Sequence, residues 1–452
     1  MKKIISLLLV LVMVLGLVAC GKADAPAADA PAANKPADSG ASAPADGNAR
    51  PFEGRVLTLA HGHHAYADAY AAQFAAFEEK YGCTIEVEML SENADEQESL
   101  MLTRAATGTL PDVFPSNVGA KLQEFDPASN ILDLSGQAFL DSVVEDFLPA
   151  VDGPNGEIYG VPSRTVNVAG VFYNKRIYEE LGLEIPETWD EFLANCEVIK
   201  QSGTTPIAAA YDAAAGRQIL FLSQYYYVKS ENPDFAQQYQ NKEVELHENV
   251  SYVRGAEKLA QIYELGYIND DPLAMSFDDS AIAIAEGSCV HTFARTNLIS
   301  QVVSLCPDYI DDVGFFPLPD LDANNRGVAV WLPTCWCISK NSENQDMALA
   351  LLEFLISDEG LAAYSGAITM AGAFAIKGAT LPEGVPSAIV EAQDWVGIAS
   401  ATVMEYDCDI KGPNMSSLLA MVGTGDLTPA EGIAEIEADN AIDAQQKGLA
   451  GW

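Results

Sequence analysis

Positive charge is scarce in this chain. Its 452 residues hold 24 lysines and arginines against 65 aspartates and glutamates, a formal net charge of −41. A surface so acidic repels nucleic acid and anionic lipid, which argues against both as partners. Beyond Ala19 no apolar run approaches the length that spans a bilayer, about 20 residues. Cysteine is sparse too, with eight in all and no spacing that suits a zinc site. A glycine-rich phosphate loop and a nucleophile elbow are both missing, so no cofactor is expected. His247-Glu248 opens like a zinc-protease helix, but Ser251 stands where the second histidine is needed. Asp320-Leu321-Asp322-Ala323-Asn324 opens like a calcium loop, but Asn325 replaces its glycine and Trp331 its terminal glutamate.

What is present begins with a leader. Lys2-Lys3 precede an apolar run, Ile4 to Ala19, broken only by Ser6 and Gly16 and closed by Ala19-Cys20-Gly21. A charged start, a short apolar core and a small-residue exit mark a secretory signal over residues 1–19. A cysteine at the processing point resembles the lipobox of bacterial lipoproteins, which implies that Cys20 is acylated. Lys22 to Arg50 is almost wholly Ala, Pro, Asp, Gly, Ser, Asn and Lys, without aromatic or branched aliphatic residues. It cannot bury enough apolar surface to offset the entropy of ordering, and residues 20–51 read as a lipid-bearing tether. With Cys20 lipidated, seven cysteines remain. An odd number argues against a full disulfide framework, and Cys83, Cys196 and Cys289 read as small core residues. Cys335 and Cys337 flank Trp336 and point to one side of a strand.

The remaining length, about 400 residues, suggests two domains. Val56 to Ala60 is β-prone. Tyr66, Tyr70, Phe74, Phe77 and Tyr81 recur at helical spacing. Ile85, Val87 and Met89 alternate with glutamates as in a half-buried strand. A second helical stretch ends at Gly108, and Pro111-Asp112-Val113-Phe114 starts a third strand. This β-α-β-α-β order favours a mainly parallel sheet covered by helices. Farther on, Thr188 and Glu191 form a capping box, and Gly287 and Gly360 are placed as helix stops.

These residues carry a family resemblance. Phe77-Glu78-Glu79-Lys80-Tyr81-Gly82, Leu110-Pro111-Asp112-Val113, Gly156 to Pro162, Phe172-Tyr173-Asn174-Lys175 and Pro186 to Phe192 occur in this order. Ala281 to Gly287, Gly314 to Pro319 and Phe354 to Ser357 follow. The chain is similar to the extracellular solute-binding proteins of ABC transporters, carbohydrate-uptake class. The resemblance implies a monomer of two hinged α/β lobes, a sugar or oligosaccharide in the cleft, a membrane permease as partner, and membrane contact through the lipid alone. It places the first lobe at 52–163 and 315–370, and the second at 164–314 and 371–452, with crossings near Ser163 to Val168 and Phe315 to Pro319.

Ligand contacts follow from the same resemblance. The loop after the first strand brings His61 and His64 to the cleft, Ser116 and Asn117 follow the third strand, and Asn167 lies near the hinge. Trp331 offers a stacking face, since Pro333 breaks the strand beside it, whereas Trp336 reads as core. One departure stands out. After Gly287 the family usually carries a glycine pair and an aromatic residue, while this chain has His291 to Asn297 with Arg295 among them. Arg164, Arg217 and Arg295 in an arginine-poor chain make an acidic sugar attractive. Tyr406-Asp407-Cys408-Asp409 offers hydroxyl acceptors. Two other functions fit less well: a zinc-binding lipoprotein using His61, His63 and His64, and an extracellular glycosidase, for which no acid pair is singled out.

Overall fold

A computed structural model describes residues 50–452 apart from Glu92. The leader 1–19, Cys20 and the tether up to residue 49 lie outside the described residues. Eleven strands are present among those described. They are β1 (Val56–His61), β2 (Thr84–Met89), β3 (Val113–Ser116), β4 (Val161–Pro162), β5 (Asn167–Asn174) and β6 (Thr205–Ile207). β7 (Cys289–Arg295), β8 (Val313–Phe316), β9 (Val328–Trp331), β10 (Cys335–Ile338) and β11 (Ser400–Thr402) follow. They build two sheets, β2-β1-β3-β10-β4 and β11-β9-β5-β7-β6, with β8 also on β5, and helices pack around both.

Local patterns explain the elements. Tyr70, Phe74 and Phe77 bury one face of helix Ala67–Tyr81, which ends on a left-handed Gly82. Thr188 Oγ1 accepts from Glu191 N at 3.3 Å while the Glu191 carboxylate accepts from Thr188 N at 3.2 Å, so the expected capping box forms. Gly287 ends helix Phe277–Glu286 at φ +88°. Gly360 is a correction. It lies inside helix Asp358–Ala367, where Ser357 is the cap. A Cβ at residue 360 would come within 2.0 Å of the Phe354 carbonyl oxygen. This glycine permits a close turn between helices instead of ending one.

Sheet direction also differs from expectation. β1 pairs parallel with β2 and β3, as the β-α-β-α-β order requires. β10, however, runs antiparallel to β3 and β4, and β5 runs antiparallel to β7, β8 and β9. Parallel neighbours need a crossover connection. β5 and β10 instead enter their sheets directly from the other lobe.

The lobe limits shift accordingly. Ser163–Val166 carries the chain from the first sheet to the second. The return near Phe315 to Pro319 does not occur there. Phe315 and Phe316 pack on Phe172 and Tyr173 at centroid distances of 5.2 and 5.4 Å, and Trp189 N donates to the Asp320 carbonyl at 2.7 Å. These contacts hold residues 313–331 with the second sheet, and Leu332–Thr334 leads from β9 there to β10 in the first. Residues 371–376 stay with the first lobe, since Ala375 O accepts from Val144 N at 3.1 Å. Helix Ser387–Gln393 belongs to the second, where Glu391 accepts from Phe315 N at 2.6 Å.

Candidate functional site

The crossing segments meet at one point. Ser163 Oγ donates to the Thr334 carbonyl at 2.7 Å and Ser163 N donates to it at 3.0 Å. His63 Nε2 lies 3.0 Å from Thr334 Oγ1. Val166 N donates to Ala373 O at 2.7 Å, which adds the third passage to the cluster. A cavity of about 270 Å³ opens beside it, lined by Gly62, His63, Gln97, Ser116, Asn117 and Arg164 among others. Gly62-His63 and Ser116-Asn117 stand at the carboxyl ends of β1 and β3, where ligands sit in open α/β sheets.

The second lobe contributes a different set. Asn167 and Trp331 are opposite each other in the β5–β9 ladder, and Ala169 faces Arg295 across β5–β7. Arg295 and Trp331 thus flank the start of β5. The Arg295 guanidinium lies over the Trp331 ring, 5.3 Å from its centroid. Trp331 Nε1 donates to Glu405 Oε1 at 3.0 Å, and Glu405 Oε2 takes Lys411. Tyr406 donates to Leu332 O at 3.3 Å. Burial pushes its phenol up to about 12 and Glu405 adds to this, while Arg164 and Arg295 both oppose it. Tyr406 is therefore within electrostatic reach of both guanidiniums. Arg164 lies over Tyr66, 5.4 Å from the ring centroid.

Of the anticipated residues, Ser116 and Asn117 line the cavity, and Asn167, Arg295 and Trp331 lie together at the start of β5. Ser116 is buried in the first wall, its hydroxyl donating to Asn117 O at 2.8 Å, and Asn117 is exposed on it. Asn167, Arg295 and Trp331 gather, half-buried, in the second sheet. His64 stands on an exposed turn with Nε2 2.9 Å from Leu90 O and does not line the cavity. His61 is a clear correction. It is 2% exposed, with its ring 5.0 Å from Tyr70 and 6.3 Å from Trp336. It continues the inward alternation of Leu57 and Leu59, a period-2 signal present in the sequence. Burial holds it down to about pKa 4, with His64 contributing. Arg217 is not in the cleft, because it donates to the Tyr211 and Asp212 carbonyls at 2.6 Å each.

Sequence reasoning passed over His63 as a cleft residue, along with Thr334, Tyr66 and Glu405. His63 is held down to about pKa 4 by burial, then by Arg164 and His61, so it presents a neutral ring. The zinc alternative loses its geometry. His61 points into the core, His63 to Thr334 and His64 to Leu90, and no group of three or more metal-ligating side chains converges among the described residues. Cys335 and Cys337 do share a strand side, with sulfurs 3.5 Å apart, and both are buried. No described helix is long and apolar enough to cross a membrane.

Comparison with known proteins places this geometry. Over 115 residues the chain is 37% identical to the multiple sugar-binding protein of Streptococcus mutans, covering 25% of this chain and 26% of that one. Over 165 residues it is 27% identical to the melibiose/raffinose/stachyose-binding protein of Bacillus subtilis, covering 35% of each. The matches therefore span about a quarter and a third of these curated relatives. Apo RafE of Streptococcus pneumoniae superposes with a TM-score of 0.71 at 22% identity, over 87% of this chain and 99% of that one, which shows a shared two-lobed fold. Residues 62–362, well over half of the chain, match the model of the bacterial extracellular solute-binding protein family, and the chain belongs to that family.

Proposed function

We propose that this protein is the substrate-binding component of an ABC importer, capturing a sugar or oligosaccharide between its lobes and passing it to a membrane permease. The observation that carries the reading is the cleft where the sheet-crossing segments meet, with amide, hydroxyl and imidazole groups on one wall and Trp331 on the other. Sugars present a flat apolar face and a rim of hydroxyls, which aromatic rings and such polar groups suit. The names of the Streptococcus mutans and Bacillus subtilis relatives support a carbohydrate. The first lobe takes 52–162 and 335–376, the second 167–331 and 387–452, and closure is a hinge motion about the crossings. The protein works as a monomer and is not an enzyme. Glu98 and Glu405, the carboxylates at the cleft, are each engaged by a lysine, Lys121 at 2.7 Å and Lys411, an arrangement unsuited to an acid–base pair.

The test is calorimetric titration of sugars into the full chain and a Trp331→Ala variant. Stacking beyond area burial contributes about 0.5–1.5 kcal/mol, and the lost contact area adds to it. Binding should weaken about tenfold or more with the unfolding midpoint unchanged. Turnover of the sugar would make the protein an enzyme, and equal affinity in the variant would put the site elsewhere.

Cys20 is the lipid anchor in this reading, holding the body at the extracytoplasmic face of the cell membrane. Cys20→Ala should move the protein from the membrane fraction to the medium. A variant that is cleaved after Ala19 yet stays with the membrane would refute the anchor.

A further inference from the structure

We propose that the ligand of this cleft is an acidic sugar, whose carboxylate is held between Arg164 and Arg295. The proposal rests on the sugar-binding reading above and narrows it. Its basis is a census of the nine arginines. Arg50, Arg55, Arg104, Arg176, Arg254 and Arg326 each form an ion pair with a carboxylate. Arg217 donates to two backbone carbonyls. Among the described residues Arg164 and Arg295 alone have neither an ion pair nor a hydrogen bond; Arg164 lines the 270 Å³ cavity, and Arg295 lines a smaller pocket of about 70 Å³ in the second lobe. Their only partners are ring faces, Tyr66 and Trp331.

In a chain with 65 acidic residues, two guanidiniums without a carboxylate among the described residues, both acting on Tyr406, need a reason. Arg164 Nε is buried without any acceptor. A ring face attracts a cation but takes no hydrogen bond. Leaving a buried donor unsatisfied is costly, more so when it is charged. His63, Ser116, Asn117 and Thr334 beside Arg164 are neutral, and the one acid lining that cavity, Glu98, is taken by Lys121 at 2.7 Å. Glu405 is the nearest acid to Arg295, but Trp331 and Lys411 take its oxygens. A guanidinium fork matches a carboxylate in bidentate geometry, and Tyr406 lies within electrostatic reach of both forks. Closing the lobes on a neutral sugar would strip water from both cations with no counter-charge. A uronate supplies that charge and keeps a ring face for Trp331.

The test titrates the full chain with matched probes: galacturonate with galactose, glucuronate with glucose, and digalacturonate with its methyl ester. At least one acid should bind about 100-fold tighter than its neutral partner, the value of one well-made charge-assisted pair. Arg164→Gln and Arg295→Gln should each cost the acid about tenfold more than they cost the neutral partner. Arg295→Lys should recover part of the loss. Wild-type preference for the esters or neutral sugars would overturn the carboxylate proposal while leaving the importer reading intact. Acid binding that survives both substitutions would also overturn it. Absence of binding by every sugar, acidic and neutral, would sink both. The wild-type comparison of acid with ester decides the matter even if a variant fails to fold.

Discussion

Asp320→Ala should lower the free energy of unfolding by about 3–5 kcal/mol, because it breaks a buried ion network on one side only. Asp320 is 4% exposed and accepts Arg254 at 2.5 Å and Lys258 at 2.9 Å. Lys258 is 1% exposed, and its ammonium also donates to Gln224 at 2.8 Å and to the Pro319 carbonyl at 2.6 Å. Burial lowers Lys258 to about pKa 8, and Asp320 counters part of that effect. Without Asp320 the lysine's folded pKa falls further below its unfolded value. A lysine so depressed binds fewer protons when folded, so stability from this group rises with pH between its folded value, about 8 with Asp320 present and lower without it, and about 10.5. The variant's deficit should therefore be larger at pH 7 than at pH 10 in urea unfolding. Pairing Asp320→Leu with Lys258→Met should return part of the stability, since an apolar pair carries no uncompensated charge. A loss below about 1 kcal/mol for Asp320→Ala would show that the network contributes little.

Trp336→Ala should cost a similar amount, about 3–5 kcal/mol for a large aromatic removed from a packed interior. Trp336 is fully buried on β10 between β3 and β4, with ring centroids at 5.2 Å to Tyr70, 6.3 Å to His61 and 6.4 Å to Phe74. The cavity would lie against His61. Water entering it should raise the His61 pKa from about 4 toward the ordinary histidine value, which ring-proton NMR would follow. Trp331, five residues earlier, is half-buried at a strand end, so its removal should act on binding far more than on stability. Equal destabilisation by the two substitutions would contradict this division of labour.

The division between what the sequence states and what the fold decides follows the range of the interactions. Periodicity and capping act over a few residues, so the helix Ala67–Tyr81 and the Thr188–Glu191 box were legible directly, whereas the half-buried alternation read for β2 fails, because only Ile85 of Ile85, Val87 and Met89 is buried. Trp336 was read as core, and it is, because β10 is buried on both faces. The order of short motifs sufficed for the family. His61 was misread although Leu57 and Leu59 already set its inward face; position by resemblance outweighed a local signal that was available.

Other features had no local signal. Phe315 to Pro319 was placed as a crossing by resemblance, yet Phe172 and Tyr173, some 140 residues earlier, pack on Phe315 and Phe316 in the second sheet. The crossing point depends on Ser163 and Thr334, which are 171 residues apart. The sequence marked Arg164, Arg217 and Arg295 alike, as rare cations in an acidic chain. Only tertiary structure separates them, because an arginine's role depends on which acceptors come within about 3 Å, and those arrive from distant segments. Arg217 meets carbonyls from its own loop. Arg164 and Arg295 meet the ring faces of Tyr66 and Trp331, with no hydrogen-bond acceptor for either guanidinium among the described residues. Composition determined that cations would be few, and the packing of two lobes decided which of them remained unpaired.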